Sequence, residues 1–204
     1  MAASATVHVV DDDEITRETL AILLQGAGYE VELYESGEAF MDARPAAAPA
    51  CVVLDMHMPQ MNGIDVLRAL KSDDFPLPII MLTGRGHIDL AVQAMKLGAA
   101  DFVSKPYKTE TLLASVQESL AAAPANGGEA AAAQEKIGRL SKREYEVVQG
   151  MIAGLPNKLI AHRLDLSPRT VEAYRATLME KLEVRGLSSV VQLALAAGVQ
   201  PLGA

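Results

Sequence analysis

Cys51-Val52-Val53-Leu54 is uninterruptedly apolar and stops at a carboxylate, Asp55, with Pro59 four residues on. A short run of this kind, with two β-branched residues, predicts a strand buried on both faces of a parallel sheet. Asp55 then stands at the carboxyl end of that strand, where open α/β sheets bind their ligands. Taken alone, an Asp in this place also suits a helix cap. The rest of the front half distinguishes the two readings.

The same grammar recurs along the chain. Thr6-Val7-His8-Val9-Val10 runs into Asp11-Asp12-Asp13-Glu14, Ile79-Ile80-Met81-Leu82 into Thr83-Gly84, and Phe102-Val103-Ser104 into Lys105-Pro106. Val31 and Leu33 alternate with charged residues and predict one further short strand. Helical patterns fill the intervals. The first places Ile15, Thr19, Ile22 and Leu23 on one face, the second is capped by Ser36, and others span about residues 62–71 and 88–97. The last buries Leu112, Leu113, Val116 and Leu120. Five strands alternating with five helices predict an α/β fold, a doubly wound five-stranded parallel sheet.

In that fold the ends of strands one, three, four and five share an edge and bring together Asp11, Asp12, Asp55, Thr83 and Lys105. Three carboxylates in one pocket repel unless a cation neutralises them. Oxygen ligands alone suit Mg²⁺, with Mn²⁺ as a substitute, and not zinc. A metal, a free carboxylate, a hydroxyl and an ammonium are apparatus for holding a phosphoryl group. Asp13 and Glu14 read as acids of a first helical turn, and Cys51 reads as core.

Net charge is −8, unevenly distributed. Residues 1–123 carry 18 acidic and 8 basic side chains, net −10, whereas residues 137–204 carry 6 acidic and 9 basic, net +3. The asymmetry predicts two domains, with nucleic acid a partner for the second. No apolar run has the length of a membrane span, no signal peptide precedes the first strand, and a single cysteine excludes an intrachain disulfide. A soluble, cytoplasmic protein with no membrane partner is expected.

Val9-Val10-Asp11-Asp12-Asp13, the stretch from Val53-Leu54-Asp55-Met56-His57 to Asn62-Gly63, Leu82-Thr83-Gly84 and Lys105-Pro106 resemble the receiver domain of two-component response regulators. The resemblance covers residues 5–121 and implies that Asp55 accepts a phosphoryl group from a sensor histidine kinase. It implies that Asp12 ligates Mg²⁺ directly, Asp11 largely through water, and His57 through its backbone carbonyl. Thr83 and Lys105 would hold the phosphoryl oxygens, Phe102 would turn as Thr83 moves, and Lys105-Pro106 would be cis. The loop Gly84-Arg85-Gly86-His87 differs from the Gly-His-Gly-Asp of the FixJ-type subfamily. An aspartyl-phosphate phosphohydrolase would want a second Asp two residues after the nucleophile, where His57 stands, so a non-enzymatic phosphoacceptor is expected. Its chemistry would be limited to self-phosphorylation from small donors and autodephosphorylation.

Ala121-Ala122-Ala123-Pro124-Ala125-Asn126-Gly127-Gly128 reads as a linker, and residues 129–139 as a short Ala-rich helix. From Leu140 the pattern is all-helical. Ser141 and Glu144 form a capping box. Asn157 is expected to cap a short helix through Leu164, and Ser167 with Pro168 to open a longer one. A last helix spans about residues 188–198. Two helices joined by a tight turn fit a helix-turn-helix. Along the longer helix Val171, Tyr174, Leu178 and Leu182 face inward, leaving Arg169, Glu172, Ala173 and Ala176 outward. Glu172 suits cytosine N4 and Ala173 a thymine methyl. Lys158, Arg175 and Lys181 flank this face at phosphate-contact positions. On periodicity alone a helical protein-interaction domain stays open. Leu140-Ser141-Lys142-Arg143-Glu144, the stretch Gly154 to Ala161, and Leu166-Ser167-Pro168-Arg169-Thr170-Val171-Glu172 resemble the LuxR-type DNA-binding domain over residues 138–200, with Tyr174-Arg175 in place of the usual His-Arg.

Together these predict residues 1–122 as a receiver, 123–139 as a linker and 140–204 as a DNA-binding domain, the FixJ/NarL arrangement. That arrangement implies a phosphorylation-activated regulator with a kinase, promoter DNA and RNA polymerase as partners. The alternative is a phosphorelay or protein-binding receiver whose tail does not touch DNA. A surplus of three positive charges predicts weak DNA binding by one copy, so homodimers on paired half-sites are expected. In residues 88–97, Leu90, Ala91, Ala94 and Leu97 are assigned to the core. Ile88, Val92 and Lys96 would then belong to an exposed pairing face.

Overall fold

The computed structural model describes residues 5–43, 45, 49–73, 75–84, 88–121 and 129–202. The Arg85–His87 part of the expected loop and most of the expected linker, residues 122–128, lie outside these. Strands β1 (Thr6–Val10), β2 (Glu30–Tyr34), β3 (Ala50–Asp55), β4 (Ile79–Thr83) and β5 (Asp101–Ser104) form one parallel sheet in the order β2-β1-β3-β4-β5. Helices α1 (Glu14–Gly26), α2 (Gly37–Ala43), α3 (Gly63–Ser72) and α5 (Thr109–Ala121) pack with the sheet as one unit. A second unit gathers α4 (Ile88–Lys96), α6 (Glu129–Gly138), α7 (Lys142–Ile152), α8 (Asn157–Leu164), α9 (Pro168–Leu182) and α10 (Leu187–Ala196).

Alternation along the strands sorts the core into two layers. Val7, Val9, Cys51, Val53, Ile80, Leu82 and Val103 meet Leu20 and Leu24 of α1 and Leu112 and Val116 of α5. The intervening residues face the other way, where His8 lies against Phe40 of α2, with ring centres 6.1 Å apart, and Phe40 meets Phe75 edge-on. The inner strands β3 and β4 therefore read as apolar up to their last residues because both their faces are covered, whereas edge strand β2 alternates with exposed charged residues. Burial in β3 pushes the Cys51 thiol up to about 12, as befits a core side chain. The strand order reverses between β1 and β3, which opens a crevice at the carboxyl ends of those strands.

Two helical faces differ from expectation. Ile15 and Ile22 of α1 are 75% and 74% exposed, and the buried stripe is Leu20, Ala21 and Leu24. Both sets have helical spacing, and Leu23 packs at the edge of the buried one, so packing and not periodicity decided which stripe faces the sheet. In α4 the buried residues are Ala91, Val92, Ala94 and Met95, so Val92, only 2% exposed, is not on an open pairing face. Ile88 is half-buried, and Lys96 is exposed with Asp89 and Gln93. Asp89, Gln93 and Lys96 form its polar stripe, and Val92 borders that stripe, so periodicity left open on which side of the boundary it falls.

In the helical unit Ser141 and Glu144 do form the reciprocal capping box, and Ser167 caps α9 by accepting from Thr170 N at 3.1 Å. Pro156, not Asn157, holds the cap position of α8, without a side-chain bond. Val171, Leu178 and Leu182 are fully buried and Tyr174 half-buried, which leaves the opposite side of α9 in solvent. Helix α6 contributes Ala133 and Ile137 to the buried interior and lies against α9 and α10. Among the described residues no helix is long and apolar enough to cross a membrane.

Candidate phosphoacceptor pocket and helix-turn-helix face

Asp55 ends β3 and is 5% exposed, because Met56 continues the sheet with a bond to Leu82 O at 2.9 Å and Gly63 tucks under the strand end. A Cβ on Gly63 would collide with the carbonyl of Asp55 and come within 2.9 Å of Met56 Cα. Asn62 caps α3 by accepting from Asp65 N, and the loop therefore returns tightly past the pocket. This close approach was signalled only by the Asn-Gly pair at the start of that helix.

Lys105 Nζ lies 2.7 Å from Asp55 Oδ1 and 2.9 Å from Asp11 Oδ2. The second Asp55 oxygen accepts from His57 N at 2.8 Å, which pins the carboxylate plane. Asp11 is buried at the end of β1 and also accepts from Asp13 N at 2.9 Å, while Arg17 holds its backbone carbonyl at 2.7 Å. Asp12 is exposed at the mouth, and carboxylate oxygens of Asp11, Asp12 and Asp55 lie within 4.8 Å of one another. Thr83 is buried at the end of β4, and its carbonyl accepts from Lys105 N at 2.6 Å, which ties the ammonium's strand to the hydroxyl's strand. The Lys105–Pro106 peptide is cis. Phe102 is half-buried on β5, paired with Met81 two residues before Thr83.

Burial pushes the Asp55 carboxyl above its ordinary value, and the Asp11 charge adds to this, against the lowering by Lys105 and the His57 N–H. Burial alone would lower the Lys105 ammonium, but hydrogen bonds and charge from Asp55 and Asp11 outweigh it and hold it up. Asp55 therefore holds its proton chiefly because it is buried, and Lys105 holds its own because two carboxylates face it. Such an all-oxygen, anion-rich set fits a divalent cation of the hard type. Asp13 is instead the cap of α1, accepting from Thr16 N at 2.7 Å, and that bond lowers its pKa.

On α9, Arg169, Glu172, Ala173 and Ala176 share the exposed side, and Lys158 is exposed on α8. The Thr170 hydroxyl is engaged with Ser167 Oγ at 2.8 Å. Arg175 and Lys181 are both bonded within the unit, to Asn157 and to the buried Glu144. Neither partnership was visible in the sequence, since the residues lie 18 and 37 positions apart.

Comparison with known proteins agrees with both halves. Residues 7–117 match the response regulator receiver domain, and residues 138–194 match the bacterial regulatory proteins of the luxR family. The transcriptional regulatory protein FixJ of Bradyrhizobium diazoefficiens is 43% identical over 202 residues, 98% of each chain. The response regulator protein TodT of Pseudomonas putida is 35% identical, over 93% of this chain and 85% of its own. A crystal structure of full-length FixJ from B. japonicum aligns with 95% of this chain and 97% of its own, at 43% identity and a TM-score of 0.56. This chain is therefore a member of the FixJ-type two-component response regulators, a phosphorylation-dependent transcription regulator that joins a receiver to a LuxR-type helix-turn-helix.

Proposed function

We propose that Asp55 is the phosphoacceptor. The observation that carries this reading is the ammonium of Lys105 held between Asp55 and Asp11 at the open end of the sheet. A carboxylate oxygen of Asp55 attacks phosphorus of a kinase phosphohistidine; the new O–P bond forms as the N–P bond breaks, and the imidazole leaves and takes up a proton. Lys105 and the Thr83 hydroxyl receive the charge on the transferred oxygens. Asp11, Asp12, Asp55 and the His57 carbonyl would hold Mg²⁺, or Mn²⁺ in its place, which when bound supplies charge neutralisation for the transfer. Small phosphodonors serve the same acceptor, and water returns it to the carboxylate; no further substrate turnover is part of this reading. Labelling with acetyl phosphate and Mg²⁺ tests it: the wild type takes up phosphate stoichiometrically and Asp55→Asn takes up none.

The exposed apolar pair Ile15 and Ile22 lies on the helix that starts beside Asp11, Asp12 and Asp13. Solvent-facing isoleucines next to a phosphoacceptor suit docking of the sensor kinase that must bring its phosphohistidine there. Phosphorylation would draw Thr83 toward the new group, let Phe102 turn inward, and favour pairing of two copies through the exposed residues Asp89, Gln93 and Lys96 of α4, with Ile88 at the edge. The paired tails then present Arg169, Thr170, Glu172, Ala173, Ala176 and Lys158 to the major groove and backbone of promoter DNA. RNA polymerase is the partner that reads the result, and the cytoplasm is the compartment where kinase, DNA and polymerase meet.

A further inference from the structure

Asn157 occupies the first position of α8, just after Pro156 at the cap, and its side chain bonds to a neighbouring helix. Its Oδ1 accepts from Arg175 Nη1 at 2.6 Å, across to α9. Arg175 is half-buried, unlike its exposed neighbours Ala173 and Ala176. On the other side of α9, Lys181 Nζ donates to Glu144 Oε2 at 2.8 Å. Glu144 is itself buried and held by the N–H of Ser141 at 2.7 Å. At about 100° per residue, Arg175 and Lys181 fall on opposite flanks of the buried stripe Val171, Leu178 and Leu182. Apolar side chains along a stripe resist sliding apart but tolerate rolling of the helix about its axis. Two directional, charge-assisted bonds, one per flank, remove that freedom.

We propose that Arg175 and Lys181 are positioning residues that fix the rotation of α9 about its own axis, and so set which of Arg169, Glu172, Ala173 and Ala176 meets which base, without touching DNA themselves. The proposal rests on α9 being the recognition helix. Arg175 forms one latch with the start of α8, and Lys181 the other with the start of α7. Burial lowers the Arg175 guanidinium pKa, as expected for a cation withdrawn from the surface.

Phosphate contacts and positioning differ in their salt dependence. A cation on a phosphate contributes about 1 to the slope of log K against log salt and strengthens binding to any duplex. A positioning residue alters discrimination and leaves that slope alone. The test uses the full chain treated with acetyl phosphate, a duplex selected from a random pool by the wild type, and an unrelated duplex of equal length. For Arg175→Met, which keeps the apolar stem, affinity for the selected duplex should fall by about tenfold while the unrelated duplex and the salt slope stay unchanged. Asn157→Ala should match it, the double variant should be no worse, and reselection with either should yield an altered base preference. Lys181→Met should behave alike, whereas Lys158→Ala should bind both duplexes less tightly. Asn157→Asp, which keeps the acceptor, should retain wild-type discrimination, and it decides the matter if the other variants do not fold. A slope reduced by about 1 with parallel loss on both duplexes overturns the proposal in favour of phosphate contacts. So does wild-type discrimination by Arg175→Met, or its loss in a folded Asn157→Asp. A wild type that selects no duplex overturns the recognition-helix reading itself, and the latch with it.

Discussion

Lys105 Nζ sits 2.7 Å from Asp55 Oδ1 and 2.9 Å from Asp11 Oδ2, bridging two buried carboxylates from strands 44 residues apart in the chain. One cation shared by two acids, with Asp12 at the mouth, leaves the pocket short of positive charge. That imbalance suits the pocket to a divalent ion and makes the clustered charge a source of instability.

Asp55→Asn should therefore stabilise the metal-free protein at neutral pH, by about 1 kcal/mol, the size of an ordinary single-site effect. The sign follows from the raised Asp55 pKa: the folded state binds the proton more tightly than the unfolded one, so ionisation above the usual carboxylate range costs stability. Urea melts in EDTA and in Mg²⁺ check this. The gain should appear in EDTA and shrink or reverse in Mg²⁺, where the wild type gains more from the ion.

Gly63→Ala should damage the pocket from behind. Its new methyl meets the Asp55 carbonyl and Met56 Cα, both backbone, so no side chain can simply swing aside. A loss of about 2–4 kcal/mol in a denaturant melt is expected, with slowed uptake of phosphate from acetyl phosphate.

Ile22→Asp and Ile15→Asp should separate docking from chemistry. Both residues are about three-quarters exposed, so neither change should shift the melting midpoint. Transfer from a cognate kinase should fall by at least about tenfold in kcat/KM, worth 1.4 kcal/mol. Labelling by acetyl phosphate should be unaffected, and equal loss with both donors would place the effect in the pocket instead.

Acid should loosen the helical unit through Glu144. Its pKa is depressed by the Lys181 hydrogen bond first, against some desolvation, with further help from Ser141. A depressed carboxylate contributes stability above its unfolded value of 4.5 that is lost as pH falls through the folded value. Lys181→Met should flatten that acid limb and cost about 1 kcal/mol at pH 7, followed by circular dichroism melts at stepped pH.

Local grammar accounts for much of this molecule. Short, mostly apolar runs leading to Asp11, Asp55, Thr83 and Lys105 determine a two-sided parallel sheet and the composition of its crevice, because strand period and strand-end chemistry are properties of a few adjacent residues. The capping box of α7 and the Ser167 cap of α9 place two helix starts in the tail for the same reason. Packing decided what periodicity left open. Two helical stripes of α1 competed, and the one with Leu20 and Leu24 went inward, leaving Ile15 and Ile22 in solvent. Val92 of α4 went inward as well, because a residue at the border of an amphipathic helix's polar stripe is placed by the packing around it. The partners of Arg175 and Lys181 were likewise set only when α7, α8 and α9 came together, since a long cationic side chain reads the same in sequence whether it ends on a phosphate or on Asn157 and Glu144.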